Sequence, residues 1–309
     1  MGMMLFGTMF KLMVALLLGF FLFRKGKFSE AVNRALSFLV VQVACPAMII
    51  ASSFAKGSES GEEDMVLWLV AAGAVLYLGL LPLTAWLFSK LLLVEKKKSG
   101  AYRFLLMFGN IIFMGFPILE SLYGEQAVFY CSILHILFNA AIFSYGIFLL
   151  KREKGKAGSV RWKDMVSAGS LASVFAIAFH FSGWQPPDFV LDTLKFVGGL
   201  TTPLSMIILG SILATFPLGI LFKEKRLFFF AAVKLVVYPV LGFFIGRLFF
   251  SDPMILGMIV LTLGMPSASM CAMISSQEQR EVQTITAGVI ITTILSLVTI
   301  PAIYFLLLR

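Results

Sequence analysis

The sequence predicts an all-α, polytopic membrane protein of ten transmembrane helices, arranged as a 5+5 inverted repeat with helices 4 and 9 broken. Three observations carry this expectation: an apolar composition, ten apolar runs of membrane-crossing length, and prolines that recur at a near-constant offset. The 309 residues are 60% hydrophobic and 13% charged, with a mean hydropathy of +0.96. A soluble domain carries roughly 25% charged residues, so a water-soluble globule is excluded. Disorder is excluded too, because it requires low hydrophobicity and high charge.

Crossing about 30 Å of hydrocarbon takes about 20 predominantly apolar residues. Runs of that kind lie near 4–23, 36–54, 65–88, 102–123, 127–150, 165–183, 195–216, 227–248, 254–276 and 285–308. The first holds Lys11, lacks a small-residue cleavage site and is followed by many further spans, so it reads as a retained helix rather than a signal peptide.

The net charge of +9 would suggest a nucleic-acid partner in a soluble protein. Here it reads as topology, and no nucleic acid is expected. Basic residues cluster in the connections after spans 1, 3, 5, 7 and 9, which together hold 19 of the 25 Lys and Arg, including six between Lys151 and Lys163. Positive loops remain cytoplasmic, which places both termini outside the cell membrane; the lipid bilayer is the expected partner, with anionic headgroups near the basic face. The expected organisation is a first five-helix repeat at 1–150, a cytoplasmic linker at 151–164 and a second repeat at 165–309.

The prolines suggest the repeat. Pro46 and Pro203 are 157 residues apart, as are Pro82 and Pro239, while Pro117 and Pro266 are 149 apart. The shortfall in the third pair is assigned to an insert at Glu95–Gly100 in the 3–4 connection. Local text agrees, with CPAMIIASS beside TPLSMIILGS and MGFPIL beside LGMPSA. Five spans are an odd number, so the second copy enters the membrane from the opposite side, an arrangement recurrent in secondary transporters.

Gly115-Phe116-Pro117 and Gly264-Met265-Pro266 are the expected helix breaks. Glycine permits unusual backbone angles, while proline removes a donor and disfavours helix in the residue before it. A break at mid-membrane exposes half-helix N-termini, each carrying roughly half a positive charge, and two facing ends would attract an anion. Ser267, next to Pro266, joins the candidate substrate-binding set with Gly115, Pro117, Gly264 and Pro266.

At these residues the sequence resembles the auxin efflux carrier family, within the wider superfamily that includes bile-acid–sodium symporters. The stretch GNIIFMGFPILESLYGEQAVFY at 109–130 resembles the family's fourth-helix motif, and 265–301 is similar to its ninth and tenth helices. Weaker likeness covers the whole chain. The resemblance implies crossed helices 4 and 9, an organic-anion substrate with its carboxylate at the crossing, and a homodimer. It identifies Asn110 with the family's substrate-contacting asparagine, and Pro117 and Pro266 with its crossover prolines. It puts a basic residue where Lys234 lies, five residues before Pro239. Plant members carry charge in their third helix, whereas 65–88 has none, and their loop between the halves is often longer. Bacterial-sized relatives look more like carriers of malate, malonate and other small carboxylates.

Other polar residues within the spans divide between roles. Lys234 either snorkels to the interface or meets a substrate carboxylate, and Lys11 reads as a snorkelling residue. Asn139 and Gln42 read as interhelical glue, with Asn139 kept in the candidate site. His135 reads as structural and His180 as interfacial. Cys45, Cys131 and Cys271 sit in apolar runs without metal or redox spacing, so no metal or cofactor is expected. No Asp or Glu falls inside a span; Glu120 comes nearest, which disfavours a carboxylate proton relay or a cation substrate. An enzyme would need a nucleophile–base pair, paired carboxylates or metal ligands, and these are lacking. The expected function is export of small organic anions by alternating access, with a sodium-coupled symporter of the bile-acid type as the alternative.

Overall fold

The computed structural model describes residues 2–54, 62–95, 98–151, 167–215 and 225–308. The expected linker at 151–164 lies, beyond Lys151, outside the described residues. Among the described residues the chain is all-helical with no strand. Six helices among the described residues are long and apolar enough to cross a membrane: Glu30–Ser52, Met65–Leu91, Glu125–Leu150, Asp188–Ala214, Arg226–Phe249 and Val282–Leu307. Three shorter apolar helices, Ile111–Tyr123, Ala168–Ser182 and Pro253–Gly264, join them. The chain is a multi-pass membrane protein.

Two compact units divide the chain, and each draws on both sequence halves. The first comprises Met1–Val70, Ile112–Ile136 and Val166–Phe216. It holds α1 (Gly2–Arg24), α2 (Glu30–Leu39), α3 (Cys45–Ser52), most of α4 (Glu62–Ala74), and α7 (Phe116–Tyr123). It also holds the first part of α8 (Glu125–Ala141), α10 (Ala168–Ser182), α11 (Asp188–Gly198) and α12 (Thr201–Thr215). Local signals set several ends. Ser29 Oγ accepts from Val32 N at the start of α2, Ser167 Oγ accepts from Ser170 N at the start of α10, and left-handed Gly183 closes α10. Within this unit α1 and α12 pack backbone to backbone. A Cβ at Gly19 would overlap the Ile207 carbonyl, and one at Gly210 would overlap that of Leu16. Small residues permit such close approach where lipid offers no hydrophobic drive.

The second unit comprises Ala71–Ile111, Leu137–Met165 and Pro217–Arg309. It contains α5 (Leu81–Leu91), α6 (Ser99–Met107), α9 (Ile147–Lys151), α13 (Lys225–Ala232), α14 (Tyr238–Phe249), α15 (Pro253–Gly264), α16 (Ser269–Glu278) and α17 (Val282–Leu307). Asp252 starts α15, its Oδ1 accepting from Met254 N at 2.7 Å and Ile255 N at 3.0 Å. Gly288 lets α17 approach Leu105 of α6, and Gly246 of α14 faces Leu256 of α15 at 2.9 Å from where a Cβ would lie.

The six repeated prolines all stand at helix irregularities. Pro46, Pro82, Pro117 and Pro239 open α3, α5, α7 and α14, each following a π-helical turn: Val40–Ala44, Val75–Leu80, Ile111–Gly115 and Val233–Val237. Proline lacks an N–H and crowds the carbonyl four residues back; widening the preceding turn relieves both problems without ending the helix. Pro203 follows the interruption between α11 and α12, and Pro266 lies in the gap between α15 and α16.

One expected break moves. Helix is lost at Phe108–Asn110, not at Gly115-Phe116-Pro117, which is helical in the turns leading into and opening α7. The π-helical turn Ile111–Gly115 leads straight into α7, and its wider turn accommodates Pro117 without interrupting the helix Ile111–Tyr123. The second break falls at Met265–Ala268, directly after Gly264, as expected. The offset of 157 therefore persists: α6 ends at Met107 and α15 at Gly264, while α8 begins at Glu125 and α17 at Val282. These bounds leave no room for the insert assigned to Glu95–Gly100, and Pro266 corresponds in register to Gly109 rather than Pro117.

Candidate functional site

Both breaks belong to the second unit, and their main chains meet. Asn110 N donates to Pro266 O at 2.8 Å and Ala268 N donates to Phe108 O at 2.9 Å, flanking an antiparallel bridge between Gly109 and Ser267. Met265, held before a proline, has the extended ψ of 144° that its position favours. Gly109 sits in close quarters: a Cβ there would lie 3.2 Å from Thr262 O and 3.4 Å from Met265 Cβ. Each strand of the bridge thus supplies polar partners that the other's missing helical turn removed.

Side chains from other helices complete the accounting. The last carbonyls of a helix lack intrahelical partners. At the end of α6, Leu105 O accepts from Ser267 Oγ at 2.9 Å and Leu106 O accepts from Lys234 Nζ at 3.0 Å. Ser267 N donates to Thr292 Oγ1 of α17 at 3.1 Å, and that hydroxyl donates to Gly288 O at 2.7 Å. Asn110 Nδ2 donates to Ser269 Oγ at 3.4 Å.

Lys234 is 1% exposed, so its ammonium does not snorkel to the surface. It sits in the π turn before Pro239, donating to the C-terminal end of α6, where the helix dipole places partial negative charge. Its Nζ also lies 5.4 Å from the centre of the Tyr238 ring, which offers cation–π attraction. The Tyr238 hydroxyl is fixed in turn at 3.2 Å from that of Thr84.

Of the sequence-predicted residues, the structure brings together Asn110, Pro266, Ser267 and Lys234, with Gly264 closing α15 beside them. Gly115 and Pro117 lie five and seven residues beyond Asn110 in chain order and belong to the first unit. Asn139 is buried in the part of α8 that belongs to the second unit, one residue after Phe138, whose ring meets Phe108 edge-on at 5.5 Å. His135 is fully buried against Phe116, and His180 Nδ1 lies 3.1 Å from Ser53 O while its ring stacks on Phe129. Gln42, expected to bond a neighbouring helix, is exposed in the π turn before α3. A turn that is widened re-aims its side chains, and this one points outward.

Sequence reasoning missed Ser269, Thr292, Thr84 and Tyr238. The first was signalled by the serine pair in MPSAS, directly after the break. The others lie on helices whose approach to the breaks no local spacing encodes.

The membrane transport protein family matches residues 4–304. Among similar chains, an uncharacterized transporter of Methanothermobacter thermautotrophicus is 27% identical over 300 residues, covering 95% of this chain and 95% of that protein. An uncharacterized transporter of Methanocaldococcus jannaschii is 25% identical over 299 residues, covering 93% of this chain and 94% of that one. The uncharacterized transporter YfdV of Escherichia coli K12 is 25% identical over 312 residues, covering 96% and 95%. With the family match running through both breaks and nearly the whole chain, the protein belongs to the membrane transport protein family, that of the auxin efflux carriers, and is a membrane transporter.

Proposed function

We propose that the chain exports small organic anions across the cell membrane by alternating access, binding the carboxylate where helices 4 and 9 cross. The observation that carries this reading is the paired break itself. Two interrupted helices share main-chain bonds beside a buried ammonium, with partners for that ammonium that are a carbonyl and an aromatic ring rather than a carboxylate. A buried amine that can carry positive charge and the first-turn N–H groups of α16 favour an anion over a cation in this region. The proposed architecture is ten spans in two inverted halves. Helix 4 is α6 plus α7, helix 9 is α15 plus α16, α1 is the first span, and the element bounds recur at 157 residues.

For a monovalent anion leaving a negative cytoplasm, the potential contributes about 2.3 kcal/mol per 100 mV. Efflux then requires no coupling ion. Lys234 supports this over sodium coupling, because its ammonium already gives the Leu106 carbonyl the cationic partner a bound metal ion would offer. The test is uptake and efflux of labelled malonate, malate, benzoate and indole-3-acetate in proteoliposomes, with Asn110→Ala in parallel. We expect flux of at least one carboxylate that the substitution reduces by roughly tenfold or more, as for a lost hydrogen bond to a charged group. Carboxylate flux indistinguishable from empty liposomes would overturn the proposal.

A further inference from the structure

Away from the breaks, two turns of the first unit meet through polar side chains. Left-handed Gly124 separates α7 from α8, while Gly199 and Leu200 separate α11 from α12. Residues flanking one turn pair with residues flanking the other. Thr202 Oγ1 donates to Glu120 Oε2 at 2.9 Å, and Lys195 Nζ lies 2.8 Å from Glu125 Oε1. Glu120, Glu125 and Lys195 line a hollow together with Ala51 and Ser52 at the end of α3. There α11 lies on the α3 backbone, since a Cβ at Gly198 would fall 2.8 Å from Met48 Cα. The topology read from Lys and Arg puts the ends of spans 2 and 4 and the starts of spans 5 and 7 outside. The repeat then shows what the inner face lacks. At an offset of 157, Glu120, Glu125, Lys195 and Thr202 correspond to Gln277, Val282, Phe38 and Cys45. None of these is an acid or a strong base, so no ion pair or charge-assisted hydrogen bond can form among them.

We infer that Glu120–Thr202 and Glu125–Lys195 form a one-sided clasp, which fastens the outer ends of spans 4 and 5 to span 7 and must release for the outer side to open. The inference rests on the proposed alternating access and topology. In an inverted repeat the two end states exchange the roles of the halves, so a contact present on one face only biases their equilibrium. This one favours the outer-closed state, in which an exporter receives substrate from the cytoplasm. Its two links differ in strength. Lys195 and Glu125 side chains are 43% and 37% exposed, so solvent screens that pair, whereas the bond from Thr202 ends on the half-buried Glu120 carboxylate and holds more firmly.

The test is thiol labelling of Ser52→Cys, a position 2% exposed in the hollow, in right-side-out and inside-out membrane vesicles. The otherwise wild-type chain, whose three cysteines are buried, is the blank. A membrane-impermeant maleimide on the outer side is expected to react slowly while the clasp is intact. Adding Thr202→Val should speed labelling by roughly tenfold, and adding Lys195→Met by about twofold to fivefold. Exchanging the charges, Glu125→Lys with Lys195→Glu, should return the rate to within about twofold of the intact clasp, which a general loosening of the helices would not do. Unchanged labelling in either single variant overturns the clasp. So does acceleration that the charge exchange fails to reverse, or acceleration seen only from the cytoplasmic side. No substrate enters this measurement, so the two readings fail separately: absent carboxylate flux with labelling as expected would overturn the anion reading and keep the clasp.

Discussion

Taking an ammonium out of water costs several kcal/mol unless other groups replace its hydration. At Lys234 those groups are the Leu106 carbonyl, the dipole at the end of α6 and the Tyr238 ring. Lys234→Met should therefore leave overall stability nearly unchanged. It strands one carbonyl, at a cost of about 1–3 kcal/mol, but also removes a charge whose burial costs a similar amount. Anion flux should fall by roughly tenfold or more, since the amine that can meet the anion is gone; melting curves and initial rates on the same preparation separate the two effects. Thr292 differs, being neutral and committed. Thr292→Val strands the buried Ser267 N–H and should lower stability by about 1–3 kcal/mol, with Thr292→Ser restoring it in thermal melts.

At the scale of elements, the prolines were legible in the sequence as places where helices depart from regularity, and every one of the six does. Less legible was which irregularity would be a break. Pro117 and Pro266 look alike locally, yet one lies within a continuous helix and the other in a gap. A widened turn accommodates a proline within a helix as readily as a gap does, so its presence does not distinguish these outcomes. What decides is a rival main-chain partner: Asn110 N finds Pro266 O, and Phe108 O finds Ala268 N, across more than 150 residues of chain. Asn110, Pro266 and Lys234 could be singled out from their residue types, whereas the role of Thr292 depends on how α17 approaches the break. Helix contacts make a separate prediction. Because a Cβ at Gly19 or Gly210 would overlap partner carbonyls, Gly19→Ala and Gly210→Ala should each destabilise the α1–α12 pair by about 1–3 kcal/mol, read as a lowered melting midpoint. An unchanged midpoint would mean that the two backbones can separate without loss.

For the whole molecule, sequence halves and compact units are different divisions. Each unit takes segments from both halves, so a repeat read along the chain does not describe a body that packs alone. The positive-inside argument belongs at this scale as well: 19 of the 25 basic residues fall in alternate connections. Reporter fusions after Arg24 and within 152–163 should report cytoplasm, and a fusion at residues 55–61 should report the outer side. Opposite signals would invert the proposed topology and with it the direction in which the potential acts.

The most direct measurement of the central claim is carboxylate flux in proteoliposomes under a potassium-diffusion potential, with no proton or sodium gradient. The account predicts that an interior-negative potential accelerates efflux of a preloaded labelled carboxylate and that reversing its sign slows it, with Lys234→Met nearly inactive in both directions. Carboxylate flux that ignores the potential and follows an imposed sodium or proton gradient would contradict it.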